Sequence, residues 1–178
     1  MVRITVMGEK EAERLLSADS DVAAGSPELE PMIGCFLIAI RSNDREKVIP
    51  YRSDAVSSVL RLQFDDVEAY EEGSSGFSAM TRSDASAAVD FAREADSEGA
   101  PIVVHCEGGV SRSAGTAAAL AVALGGDDSF IFSDPRYVPN MTCYRRVLEA
   151  AGLSLTEEQE LAKEKENRDA WEIENRGF

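Results

Sequence analysis

Residues 101–124 read PIVVHCEGGVSRSAGTAAALAVAL, and this stretch decides the fold. Its first residues, 101–104, form a β-branched apolar run that predicts a strand. Residues 114–124 are small and apolar all round, which predicts a centrally buried helix that ends at the glycine pair 125–126. A short loop would join the two, with Ser111 and Ser113 as candidate caps for the start of the helix.

The loop between strand and helix contains one thiol, two glycines and one arginine. Such a loop turns successive backbone N–H groups toward one concavity, and the helix N-terminus adds partial positive charge. Cys106 would lie at the floor, where a neighbouring arginine and the helix start favour the thiolate. Arg112 would fold back and bind two oxygens bidentately, which a lysine does less well. We therefore expect a site for a phosphate-sized dianion with a charged nucleophile at its base.

The run from His105 to Ser113 resembles the signature loop of the cysteine-dependent protein phosphatases, above all the His-Cys-x-x-Gly-x-Ser-Arg-Ser form of dual-specificity phosphatases. The resemblance implies that Cys106 attacks phosphorus, that a phosphocysteine forms and that water then hydrolyses it. Arg112 would clamp the phosphate, Ser113 would steady the thiolate as leaving group, and His105 would have a supporting role. The backbone N–H donors would come from Glu107, Gly108, Gly109, Val110 and Ser111.

A plainer interpretation makes Cys106 a buried thiol at a strand end and His105 a core histidine, since free cysteine is among the most buried residue types. Five motif positions agree at once in the strand-to-helix context, however, and this favours the phosphate site. Rhodaneses and arsenate reductases also place a loop cysteine near an arginine. The histidine before the cysteine and the serine after the arginine fit phosphatases better.

A general acid is expected on the loop that follows the predicted strand at residues 56–64. In the phosphatase family an aspartate at the corresponding place protonates the leaving oxygen and later activates water. The sequence offers Asp65 and Asp66, and we favour Asp66 because it lies just beyond the strand end, with Asp65 as the alternative and another acid of the same loop as the third choice. Residues 68–81 have little periodicity and are predicted to be a mobile loop. If neither aspartate reached the signature loop, a phosphate-binding module without turnover would be favoured.

The remaining patterns predict an α/β fold in one domain over residues 1–178, with a central, mostly parallel sheet and helices on both faces. A further buried strand is expected at residues 33–40, because this run is apolar at nearly every position. Thr156 and Gln159 form a capping box for a C-terminal helix over residues 156–176. Cys143 would lie in the first turn of a helix that begins after Asn140, as a packing residue or alternatively as a resolving thiol.

The composition restricts partners and compartment. The 178 residues include 33 acidic and 18 basic side chains, a net charge of −15 that disfavours nucleic acid and anionic membrane surfaces. Glu107 also disfavours a polyphosphoinositide substrate, because relatives that act on such lipids carry basic residues in the loop. Three cysteines do not suggest a disulfide framework, and no segment is apolar enough to span a bilayer. We therefore expect a cytoplasmic protein.

The sequence thus predicts hydrolysis of a phosphomonoester on phosphorylated protein, either on phosphotyrosine or on phosphoserine and phosphothreonine. Two alternatives remain: a phosphatase of a small phosphorylated metabolite, and a phosphate-binding module without catalysis. Neither a metal nor another cofactor is implied, because the thiolate, Arg112 and the backbone amides carry the charge that a metal would otherwise supply.

Overall fold

The structure, a computed structural model, describes residues 2–44, 48–68 and 76–175. Within these ranges four strands form one sheet: β1 (Ile4–Gly8), β2 (Cys35–Arg41), β3 (Val56–Gln63) and β4 (Ile102–Cys106). Their order in the sheet is β1-β4-β2-β3, and every neighbouring pair is parallel. The predicted single-domain α/β fold is confirmed, and the described sheet is parallel throughout.

The helices of the described ranges are α1 (Glu9–Leu16), α2 (Arg82–Glu98), α3 (Arg112–Ala123), α4 (Ser129–Phe132), α5 (Met141–Ala150) and α6 (Glu157–Asn175). Helix α6 begins at the expected capping box, in which Gln159 N donates to Thr156 Oγ1 and Thr156 N to Gln159 Oε1. Its predicted last residue, 176, lies outside the described residues. None of these helices is long and apolar enough to cross a membrane.

Most of the unbroken apolar run at residues 33–40 belongs to strand β2. Both faces of this strand are covered by other parts of the protein, so nearly every side chain is apolar. Phe36, Ile38 and Ile40 pack on one face in a core built with α2, α3 and α5. Cys35 and Leu37 face the other side, in a second core with α1 and the 3-10 turn Glu30–Met32. Helices therefore lie on both faces of the sheet, as predicted.

Helix α3 is the buried central helix that the sequence predicts, since every residue from its start to Ala121 is buried. Its contact with the start of α5 is a backbone contact. A Cβ added at Gly115 would lie 2.3 Å from the carbonyl oxygen of Asn140, so only glycine fits there. This close approach holds the first turn of α3 against the segment that leads into α5.

The carboxyl ends of the parallel strands meet at one edge of the sheet. Cys106 ends β4, Gly8 ends β1, and Ser42 and Phe64 directly follow β2 and β3. In open parallel sheets this edge is where ligands bind. Part of the segment predicted to be a mobile loop, residues 69–75, lies outside the described residues.

Candidate active site

Cys106 lies at the floor of the signature loop, where β4 ends. Its side chain is buried, and its Sγ lies 3.1 Å from Ser113 Oγ on the first turn of α3. Ser113 is fully buried as well, so the sulfur and the hydroxyl face each other away from bulk water. The hydroxyl is therefore placed to donate a hydrogen bond to a thiolate. Ser113 is not a helix cap, which was one of its expected roles.

The carbonyl oxygens of the loop are turned outward. Three of them accept hydrogen bonds from backbone N–H groups outside the loop: Glu107 O from Glu9 N at 3.1 Å, Val110 O from Val138 N at 3.1 Å, and Ser111 O from Asn140 N at 3.2 Å. In a trans peptide the next N–H points the opposite way, so the N–H groups of Gly108, Ser111 and Arg112 point away from these neighbours. Within the described part of the chain, the N–H groups of residues 108–111 donate to no protein acceptor. Backbone donors without a protein partner are what a site for a phosphate-sized anion requires.

Gly109 allows this loop to rest directly on the end of β1. Its φ is +71°, a left-handed conformation that glycine adopts at little cost. A Cβ at this position would lie 2.4 Å from Gly8 N and 2.5 Å from the carbonyl carbon of Met7. A larger residue would push the loop off the strand, so the glycine is a steric requirement as well as a conformational one.

Three hydrogen bonds to other residues fix the guanidinium of Arg112. Nη1 donates to Ser42 Oγ at 3.0 Å and to the carbonyl oxygen of Phe64 at 2.9 Å, and Nη2 donates to Glu107 Oε2. Nε is buried and lacks a hydrogen-bond partner among the described residues, with Asp66 Oδ2 3.9 Å away. The planar group is thus fixed in orientation, while two of its five N–H donors, on Nε and Nη2, stay available for a ligand.

Glu107 is one of the three acceptors that orient this arginine, a role that the sequence did not predict. Its Oε1 also accepts a hydrogen bond from Ser42 N at 2.9 Å. Burial would raise the pKa of Glu107, but the Ser42 hydrogen bond and the Arg112 charge hold it below its usual range. Glu107 is therefore a carboxylate that joins the signature loop to the segment after β2.

Asp65 points into the protein and is only 8% exposed. Its Oδ1 accepts from Asn43 N at 3.1 Å, and its Oδ2 accepts from Asn43 Nδ2 at 2.8 Å and Ser78 N at 3.0 Å. Burial would raise the pKa of Asp65, but the hydrogen bonds from Ser78 and Asn43 lower it. Asp65 therefore ties together two segments beside the site, and its oxygens are occupied there.

Asp66, one residue further, is exposed and lies over the signature loop. Its Oδ1 accepts from Ser111 Oγ at 2.8 Å and from Asn140 Nδ2 at 3.1 Å. Ser111 occupies the N-cap position of α3, but its side chain makes no capping hydrogen bond because its hydroxyl donates to Asp66. The expected side-chain cap is therefore absent, and Asp66 is the aspartate that reaches the loop.

His105 is fully buried behind the loop, with Nε2 2.7 Å from the hydroxyl of Tyr51. Burial lowers the pKa of His105 from 6.5 to about 4. Burial also raises the pKa of Tyr51 to about 12. The imidazole is therefore neutral at pH 7 and supplies no positive charge to the cysteine.

Cys143 and Asn140 mark the start of α5. Asn140 is the predicted N-cap and accepts from Cys143 N at 2.9 Å. Burial raises the pKa of Cys143 well above its usual range, which fits a packing residue better than a resolving thiol. In residues 2–44, 48–68 and 76–175, no group of three or more His, Cys, Asp or Glu side chains is arranged to hold a metal ion.

No protein-family model and no curated protein matches the chain. A structural comparison found human DUSP28 at 16% identity, covering 98% of this chain and 99% of that one, with a TM-score of 0.48. PTPMT1 in complex with PI(5)P is 16% identical over 99% and 95% of the two chains, with a TM-score of 0.44. A mouse putative dual specificity phosphatase, complexed with zinc tungstate, is 17% identical over 86% and 81%, with a TM-score of 0.41. The last of these is described as a putative dual specificity phosphatase, the kind of protein that the signature loop resembles. At such identities and TM-scores, these neighbours carry no weight for substrate or mechanism.

Proposed function

We propose that this chain hydrolyses phosphomonoesters through a phosphocysteine intermediate, as a protein phosphatase acting on phosphotyrosine or with dual specificity. The observation that carries the proposal is the position of Asp66, which hydrogen-bonds Ser111 in the loop whose floor is Cys106. A module that only binds phosphate needs the amides and the arginine, but it has no use for a carboxylate beside the anion.

In the first step the phosphate dianion occupies the loop, bound by backbone N–H groups and by Arg112. The thiolate of Cys106 attacks phosphorus, the S–P bond forms, and the bond from phosphorus to the substrate oxygen breaks. Asp66, protonated at this stage, gives its proton to the departing oxygen. The products of this step are the dephosphorylated alcohol or phenol, the phosphocysteine and an Asp66 carboxylate.

In the second step water attacks the phosphocysteine. Asp66 takes a proton from the water, the new O–P bond forms, and the S–P bond breaks to release the Cys106 thiolate. Ser113 Oγ, 3.1 Å from Sγ, donates a hydrogen bond to the sulfur as its negative charge returns. Inorganic phosphate leaves, and Asp66 is protonated again for the next cycle.

Arg112 contributes orientation as well as charge. Because Glu107, Ser42 and Phe64 hold its terminal nitrogens, the guanidinium needs little reorganisation when phosphate binds. The equatorial oxygens, which carry the charge of the transferring group, are then stabilised by fixed donors.

The proposed partner is a phosphorylated protein, and a small phosphomonoester is the second candidate because the same loop would bind it. The net charge of −15 makes nucleic acid and anionic membranes unfavourable partners. All three cysteines are free thiols, which agrees with a reducing compartment such as the cytoplasm. Residues 1–178 would act as one catalytic domain with α6 as its C-terminal helix.

A turnover screen with a phosphopeptide panel and common phosphometabolites tests this function, with Cys106→Ser as the matched inactive control. Release of phosphate from phosphotyrosyl or phosphoseryl peptides by the wild-type chain alone supports the proposal. Activity confined to metabolites favours the second candidate. If the chain binds phosphate but releases none from any substrate, the phosphate-binding module without catalysis is favoured.

A further inference from the structure

The segment that carries Asp66 is attached to the start of helix α5 by Glu68. Glu68 Oε1 accepts from Met141 N at 3.0 Å, and Oε2 accepts from Thr142 N at 2.9 Å and from the Thr142 hydroxyl. The first N–H groups of a helix have no acceptor within the helix, and its dipole favours a negative charge at this end. A carboxylate two residues after the proposed acid thus satisfies donors that would otherwise be left unpaired.

The same helix start also contacts Asp66 and the signature loop. Asn140 Nδ2 donates to Asp66 Oδ1 and to the carbonyl oxygen of Val67, while Asn140 N donates to Ser111 O. Residues 66–68 are therefore each bonded to residues 140–142. The start of α5 is the common support of the acid segment and of the loop that binds phosphate.

We propose that Glu68 is a positioning residue whose carboxylate anchors the Asp66 segment on the start of α5 and so holds Asp66 over the signature loop. This inference rests on the proposed function. Glu68 does not touch the reacting atoms, since its oxygens face Met141 and Thr142. It acts through the position of Asp66, and its loss lowers the fraction of molecules in which the acid is in place.

The variant Glu68→Gln tests this role, because glutamine has one acceptor oxygen where the carboxylate has two. Its NH₂ group would face an N–H donor at the helix start, so the three contacts cannot all be kept. General acid catalysis contributes roughly 10²–10⁴-fold, and a loosened acid forfeits part of it. We expect kcat/KM, which reports the steps up to formation of the phosphocysteine, to fall about tenfold on a phosphotyrosyl peptide. With an activated aryl phosphate, whose leaving group needs little protonation, kcat/KM should fall less than about threefold.

Two comparisons separate positioning from a general loss of structure. Inhibition by vanadate should be unchanged in Glu68→Gln, since the signature loop keeps its own contacts. In an Asp66→Asn background the second change should have no further effect on kcat/KM, because Glu68 acts only through Asp66. Equal losses of kcat/KM on both substrates, or an additive loss in the double variant, would overturn the proposal. Glu149→Gln, on the exposed face of the last turn of α5, is the matched control and should behave as wild type.

Amide hydrogen exchange gives a readout that does not depend on catalysis. In Glu68→Gln the N–H groups of Met141 and Thr142 should exchange faster, because their acceptor is weakened, while those inside α3 should not change. Unchanged exchange at both residues would contradict the proposal that Glu68 anchors the Asp66 segment. If the wild-type chain hydrolyses no substrate, the proposed function fails, and the exchange result still decides whether Glu68 anchors the segment. Thr142→Val removes only the hydroxyl donor and should give a smaller increase in amide exchange. This second variant keeps the proposal testable if Glu68→Gln does not fold.

Discussion

The hydroxyl of Ser111 donates a hydrogen bond to Asp66 at 2.8 Å, across 45 positions of sequence. Ser111 stands where a helix cap is expected, yet its side chain leaves the start of α3 uncapped. One contact therefore has two effects. The amides at the start of α3 remain available to an anion, and a carboxylate is held beside the place where that anion would bind.

The two adjacent aspartates should behave differently when each is changed to asparagine. Asp66→Asn removes the proton donor, so we expect phosphotyrosine hydrolysis to slow roughly 10²–10⁴-fold. The basic limb of the pH–rate profile should become flat, because that limb reports ionisation of the acid. The value of kcat/KM, which reports the step in which the leaving group departs, should be affected much less for a nitrophenyl phosphate, since tyrosine with a pKa of about 10 needs the proton more. Rate measurements on both substrates over a range of pH check this.

Asp65→Asn should act on stability rather than on the leaving group. Asp65 accepts three hydrogen bonds, and an asparagine would present an N–H to one of these donors. Loss of such a buried contact costs about 1–3 kcal/mol of unfolding free energy. Urea unfolding and kcat should be measured beside Asp66→Asn. A larger, substrate-dependent rate defect in Asp65→Asn would move the acid assignment by one residue.

Arg112→Lys keeps the charge but loses the planar fork. We expect kcat/KM to fall at least about 100-fold, which corresponds to about 2.7 kcal/mol of transition-state stabilisation. A lysine also cannot reproduce the separate contacts to Ser42, Phe64 and Glu107, so it would lack a fixed orientation. Arg93→Lys, on the exposed side of α2, is the control and should leave the rate unchanged. A near-normal rate for Arg112→Lys would make the arginine structural.

His105 is the chain's one histidine, so its titration can be followed by NMR without ambiguity. Its pKa should be about 4 in the folded protein, against its usual value of 6.5. Because the unfolded chain then binds a proton that the folded chain excludes, stability should decrease as the pH falls below 6.5. As the pH falls from about 7 to about 5, the histidine should lower the free energy of unfolding by about 2 kcal/mol. Over the same pH range the His105→Gln variant should lose less of its free energy of unfolding. A folded-state midpoint near 6.5 would contradict this.

The sequence predicted those parts of the molecule that depend on local pattern. The strand, loop and helix around Cys106 follow from a β-branched run, two glycines and an alanine-rich segment, and the structure has all three. Helix α4 was missed because four residues are too few to show a helical period. Ser111 and Ser113 were expected as caps, since a hydroxyl at a helix start usually has that role. Both hydroxyls have partners elsewhere in the site.

The supporting contacts of the site could not be predicted, because they join segments that are distant in sequence. Glu107 looked like one member of a loop, and only the fold brings its carboxylate to Arg112 and Ser42. Nothing in the sequence indicated a role for Glu68, since an acidic residue after a strand end resembles any solvated side chain. The choice between two adjacent aspartates also needed the structure, because burial and hydrogen bonding distinguish them and residue type does not.

Cys106→Ser should abolish turnover while the fold and phosphate binding remain, since a serine hydroxyl does not ionise near neutral pH. Phosphate release from a phosphotyrosyl peptide and phosphate binding by calorimetry check the two halves of this expectation. Retention of more than a few per cent of the wild-type rate would remove Cys106 from the mechanism.

The most direct test is a rapid acid quench of the wild-type chain during turnover of a phosphotyrosyl peptide, followed by mass spectrometry of its proteolytic fragments. The predicted result is a phosphoryl group on the fragment that contains Cys106, attached to the sulfur and absent from Cys106→Ser. Steady turnover with no phosphoryl group on Cys106 at any quench time, together with activity in Cys106→Ser, would contradict the phosphocysteine mechanism.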